Sequence, residues 1–275
     1  MAPDLSPLHL TLDAGIARLT LDHGKANEMG RDCVAAVERL CAWLETGAAR
    51  VLLTTSTKTT SRGTPIFISG ANVPERREWS EEQVKAHVRW QRATLARLRR
   101  APVFHVAVVD GLALGWGTEF LLACDWRIAG PSAKMGLPET GLGILPGAGG
   151  ASELPALVGL PNALRLGMTG EQVDGAEALR IGLVDERLPT RDDALARADA
   201  LARMVLRRSP SAVAAYKAAA IASVGQPEAT RREVEARAYE HCVGVGDAAV
   251  GRANFEAIVS GQGDVPWTPY TPWTP

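Results

Sequence analysis

Glu119 and Glu139 stand twenty residues apart, and each lies beside glycine-rich backbone. Gly115-Trp116-Gly117-Thr118 precedes the first; Leu137-Pro138 precedes the second, with Thr140-Gly141 after it. A third such stretch, Leu145-Pro146-Gly147-Ala148-Gly149-Gly150, follows closely. Two carboxylates beside free backbone N–H groups can perform acid–base chemistry on a polarised carbonyl. One takes a proton, the other gives one, and the N–H groups bear the charge developing on oxygen. The N–H of Gly147 is a candidate for positioning a water or the carboxylate itself. Singly, each acid has a plainer reading. Glu119 offsets a helix dipole, and Glu139 is a solvated loop acid.

Two segments offer backbone donors. Ser69-Gly70-Ala71-Asn72 ends a short apolar strand and precedes a turn of helix; it is an ordinary strand-to-helix turn or one that can leave the N–H of Ala71 free to face a ligand. Gly115-Trp116-Gly117 opens a helix, whose first N–H groups have no intrahelical acceptor. Histidine offers little. His105 lies in an apolar strand and reads as core, and His9, His23, His87 and His241 show no metal-ligand spacing. No G-x-S-x-G elbow, P-loop or strand-following G-x-G-x-x-G occurs, which disfavours serine hydrolysis, P-loop chemistry and dinucleotide binding.

Twenty residues is too far for one helix face, and enough for a helix, a strand and a return loop. The pattern around the acids predicts those elements. Residues 8–12 and 16–21 alternate as a hairpin, and 30–46 follow helical spacing. Strands are expected at 51–53, 66–68, 103–109, 126–129, 133–136 and 184–188. Helices are expected at 81–99 with Ser80 as N-cap, at 117–124, from about Gly149, and from Asp174. Strands alternating with helices argue an α/β fold. After Pro189 the chain becomes helical and rich in Ala and Arg, so the division is drawn as 1–195 and 196–275. The Pro/Trp-rich stretch 266–275 cannot be helix and reads as an extended strip.

The 275 residues include 46% hydrophobic and 22% charged, the balance of an ordinary globular protein. A net charge of −1 provides no field for nucleic acid or an anionic membrane. No apolar run approaches a membrane span, and no basic leader is visible. Four cysteines without a C-x-x-C pair read as reduced, buried thiols. A cytoplasmic location without a metal is expected.

Four blocks together resemble the crotonase (enoyl-CoA hydratase/isomerase) superfamily. They are Gly24-Lys25-Ala26-Asn27, Phe67 to Asn72, Asp110 to Glu119 with Ala123-Cys124-Asp125, and Gly136 to Glu139 with Leu142 to Gly150. The resemblance implies a spiral of ββα units with a C-terminal helical oligomerisation region, as a homotrimer or dimer of trimers. It implies an acyl-CoA or acyl-carrier-protein thioester as substrate and no separate cofactor. Its carbonyl would sit between the N–H groups of Ala71 and Trp116. Lys25, Ala26, Asn27, Ser69, Ala71 and Asn72 would bind CoA. Glu119 and Glu139 match the pair that flanks one water in the hydratases, which favours hydration of a 2-enoyl thioester. Isomerisation, decarboxylation and C–C hydrolysis are the family's other reactions, and a non-catalytic scaffold is a third reading. Trp116 stands where the family has Gly, so its backbone is expected to be strained if φ is positive, and the acyl pocket is one place for its indole. Asn72 replaces Asp, and Pro74 replaces a common Lys, with Arg76 and Arg77 close by.

Overall fold

The computed structural model describes residues 2–261 and 263–275. The chain winds as a spiral whose middle strands alternate between two sheets. The larger sheet has the order β1 (His9–Asp13), β2 (Ile16–Leu21), β3 (Val51–Ser56), β5 (Phe104–Val109), β7 (Trp126–Ala129), β10 (Glu186–Arg187). Only the β1–β2 hairpin is antiparallel. The smaller sheet has the order β4 (Ile66–Ile68), β6 (Leu112–Leu114), β8 (Lys134–Gly136), β9 (Gln172–Asp174); β4, β6 and β8 run parallel. Each turn therefore gives one strand to each sheet, as β3 then β4, β5 then β6, β7 then β8.

Side-chain alternation divides the larger sheet's faces. Leu52, Ala107 and Val109 join the main core. Val51, Leu53, Val106 and Val108 join a second cluster on the other face. The helices α1 (Arg31–Leu44), α2 (Glu81–Arg100) and α3 (Trp116–Leu122) supply residues to the main core. Ser80 caps α2 in a full capping box with Gln83. Beyond the site, α4 (Leu154–Val158), α5 (Leu160–Thr169) and α6 (Gly175–Ile181) follow, the last capped by Asp174.

The helix α7 (Arg191–Leu206) covers the second face through Ala194, Ala198 and Ala202, one residue per turn. The division expected at 195/196 thus falls inside a continuous helix that packs on the sheet. The appended region begins after it, with α8 (Pro210–Ser223), α9 (Glu228–Gly244), α10 (Asp247–Ala253) and α11 (Phe255–Ser260). The last two are parted at Asn254.

The extended strip is docked. Trp267 Nε1 donates to Arg207 O at 3.1 Å, Thr268 N to Asp247 Oδ1 at 3.0 Å, and Thr271 N to Ser211 Oγ at 3.0 Å. Trp267, Tyr270 and Trp273 recur every third residue and are half-buried, whereas all four prolines from Pro266 to Pro275 are exposed. That period is the one a polyproline strip presents on one face. Among the described residues no helix is long and apolar enough to cross a membrane.

Candidate active site

Three adjacent parallel strands, β4, β6 and β8, aim their C-terminal ends the same way. Neighbouring strands lie about 4.8 Å apart. The loops leaving them, which carry Ala71, Trp116 and Glu139, therefore emerge side by side. Glu119 joins them from the first turn of α3. The twenty-residue spacing has a direct cause. After α3 the chain crosses to the larger sheet as β7, then returns as β8 beside β6.

Gly115 makes the sharp turn into α3, with φ 52° and ψ −119°. A Cβ there would stand 2.6 Å from Glu139 Oε1, so the missing side chain is what lets that carboxylate approach. Trp116 is not among the residues of positive φ, so the strain expected of it falls on Gly115. The Trp116 indole is 2% exposed and packs on Phe120 with ring centroids 5.7 Å apart. It belongs to the main core. Among the described residues, neither the Ala71 N–H nor the Trp116 N–H has an acceptor.

Glu119 is 3% exposed. Its Oε1 accepts from Ala148 N at 2.6 Å and Gly150 N at 2.9 Å. Burial pushes its pKa up, while these N–H groups and the charge of Arg92 draw it back. The peptides of the turn that face the Glu119 carboxylate are those of Ala148 and Gly150, not that of Gly147, whose N–H remains a candidate for holding a water. Gly147 instead presents its carbonyl to Arg92 Nε at 2.7 Å, which ties the loop to α2. Nothing in the residue types distinguished 147 from 148 or 150, because every one of these peptides carries an N–H.

Glu139 lies half-buried in a 3-10 turn, Pro138–Leu142. Its Oε2 is buried with no partner. Burial pushes the carboxyl up to about 7; its own backbone N–H opposes this, and the Glu119 charge adds to it. Thr140 Oγ1 donates to Gly167 O at 3.1 Å, pinning the turn to α5; the helix expected from about Gly149 begins at Leu154 and breaks at Gly159 into α4 and α5.

The two segments expected to bind CoA come together. Ser69 N donates to Ala26 O, Met29 N to Gly70 O, and Asn72 N to Met29 O. Lys25 is exposed. Asn72 keeps the capping role of the acid it replaces, accepting from Glu75 N at 3.3 Å. Asn27 differs from expectation. It is wholly buried with φ 54°, and its amide donates to Ser56 Oγ and Phe67 O while accepting from His23 N. Its side chain is spent inside the fold, so it shapes the loop and cannot touch a ligand. His105 is core, as expected: fully buried, beside Thr54 Oγ1 at 2.8 Å. All four cysteines are free, and no cluster of metal-ligating side chains occurs among the described residues.

The family model described as enoyl-CoA hydratase/isomerase matches residues 12–257. The mouse (Mus musculus) mitochondrial enoyl-CoA hydratase domain-containing protein 2 is 35% identical over 88% of this chain and 81% of its own. The putative enoyl-CoA hydratase/isomerase YngF of Bacillus subtilis is 39% identical over 72% of this chain and 75% of its own. The crystal structure of enoyl-CoA hydratase from Bacillus anthracis superposes with a TM-score of 0.84 at 30% identity, covering 94% of this chain and 97% of that one. A crotonase fold, two glutamates beside paired loops, and a match over nearly the whole chain lead to one assignment: the chain belongs to the enoyl-CoA hydratase/isomerase family.

Proposed function

We propose that this protein hydrates a 2-enoyl thioester, most simply an enoyl-CoA, to the 3-hydroxyacyl thioester. The observation that carries this reading is the unlike environment of the two acids. Burial raises both acids, but Glu119 is anchored by two N–H donors that favour its anion, whereas Glu139 keeps a buried Oε2 without a partner and is pushed up to about 7. Glu119 then takes a proton from water as the oxygen attacks C3. The electrons move to the thioester oxygen, which the N–H groups of Ala71 and Trp116 stabilise. Glu139 gives its proton to C2. Each backbone donor is worth about 3–4 kcal/mol in such a transition state, and each proton transfer about 10²–10⁴-fold. The acids titrate as a coupled pair. No further cofactor enters these steps.

The paired loops at 24–29 and 69–72 support a CoA site at the mouth, with Lys25 at its rim. Exposed Tyr216 on α8 and Tyr239 on α9, 78% and 72% accessible, support assembly through the C-terminal helices as a trimer or dimer of trimers. The test is loss of the conjugated enoyl absorbance across a panel of enoyl-CoA and enoyl-carrier-protein thioesters, with the 3-hydroxy product identified. Double-bond migration without water uptake would assign the isomerase reaction instead.

A further inference from the structure

Four polar side chains between the 3-10 turn Pro74–Arg76 and α2 hold buried atoms that have no partner. They are Arg76 Nε, His87 Nε2, Gln91 Nε2 and Thr94 Oγ1. His87, Gln91 and Thr94 are spaced by four and three residues along α2 and are 5%, 2% and 3% exposed. Arg76 donates to Gln91 Oε1 at 3.3 Å. It forms no salt bridge among the described residues. The adjacent Glu75 carboxylate accepts instead from the backbone N–H of Arg31. A half-buried guanidinium without a bonded carboxylate, beside two buried neutral donors, is costly unless a ligand completes it.

The cluster's place says which ligand. Arg76 follows Ala71 by five residues. One turn of α2 lies against the loop that holds Glu119, through Val88 beside Gly147 and Arg92 on the Gly147 carbonyl. Gln91 belongs to that turn, and Leu95, one turn on, lines a cavity with Glu119. The Arg76–Gln91 bond therefore ties the turn that follows the Ala71 loop to the helix that packs on the glutamate-holding loop.

We propose that Arg76, Gln91 and Thr94 form a subsite for an anionic oxygen group of the substrate, a carboxylate on the acyl chain. This rests on the thioester reading of the site. One free guanidinium with two neutral donors matches a single negative charge. A CoA diphosphate is the other source of such an oxyanion. It carries more charge, and the depth of Gln91 and Thr94 favours the acyl end. His87 packs against Trp79 and Trp90, and burial, with the charges of Arg76 and Arg31, pushes its pKa down to about 4, so it adds no charge.

The experiment compares 2-pentenoyl-CoA with its equal-length analogue ending in a carboxylate. Wild type should favour the carboxylated thioester in kcat/KM by about tenfold or more. Arg76→Gln and the near-isosteric Gln91→Glu should lower that value by about 10–100-fold and leave the alkyl substrate unchanged. The same substrates as N-acetylcysteamine thioesters, which lack phosphates, should keep the selective loss. No preference in wild type, equal losses on both substrates, or losses confined to the CoA forms would each overturn the subsite. If neither substrate is hydrated, the hydration reading fails on its own. Calorimetric binding of the two saturated acyl-CoA analogues then decides the subsite. An Arg76-dependent preference for the carboxylated one upholds it, and equal affinity overturns it.

Discussion

Gly115 lies directly beneath Glu139: a Cβ on the glycine would stand 2.6 Å from the glutamate's Oε1. The same glycine holds φ 52° and ψ −119°, backbone that L side chains rarely adopt. One position thus permits both the entry into α3 and the approach of the second acid. Gly115→Ala should cost about 1–3 kcal/mol of stability and displace the carboxyl. Denaturant unfolding and hydration rates measured on the variant check both effects. Unchanged turnover would mean that Glu139 does not need its place.

The raised carboxyl of Glu139 has consequences for pH. Its native value of about 7 lies above the ordinary 4.5. Its contribution to stability is therefore fully present below the unfolded value and is lost as pH rises through about 7. Glu139→Gln should remove that loss. The variant should gain in urea midpoint relative to wild type between pH 5 and 8. If Glu139 must carry the proton for C2, wild-type kcat/KM should also fall as pH rises above about 7.

Asn27 joins the 24–29 loop to β2, β3 and β4 from a fully buried position. Asn27→Ala strands several buried partners and should cost roughly 2–4 kcal/mol. Because that loop pairs with the one bearing Ala71, KM for CoA thioesters should rise more than kcat falls. A thermal scan with steady-state kinetics checks the pair of effects.

Removal of residues 266–275 should separate the strip's structural work from the chemistry. Asp247 is 3% exposed, and its Oδ1 accepts from Thr268 N and Thr268 Oγ1. Truncation leaves that oxygen without those donors and should cost roughly 1–3 kcal/mol, with hydration unchanged at temperatures where the fold persists.

The residue types revealed much of this site because backbone geometry leaves marks in sequence. Gly115 and Gly70 occur where φ is positive, and Ser80 and Asp174 occur where helices begin. Those marks located the loops of Ala71, Trp116, Glu119 and Glu139. What escaped notice leaves no such mark. The Glu119 donors are backbone N–H groups, so Ala148 and Gly150 were indistinguishable from Gly147. Asn27, which the resemblance gave as a CoA contact, is buried by contacts from Ser56 and Phe67, distant in sequence. The three-residue strands β6 and β9 are too short to show alternation. The fate of the Trp116 indole depended on Phe120 offering it a place in the core.

The proposed hydration requires the two acids to act around one water. The decisive measurement is the hydration rate of 2-butenoyl-CoA by wild type, Glu119→Gln and Glu139→Gln, each verified as folded by its denaturation midpoint. Each substitution should lower kcat by about 10²–10⁴-fold. The double variant should be little worse than the slower single one, because the acids act as a unit. Near-wild-type turnover in either folded single variant would contradict the two-carboxylate mechanism.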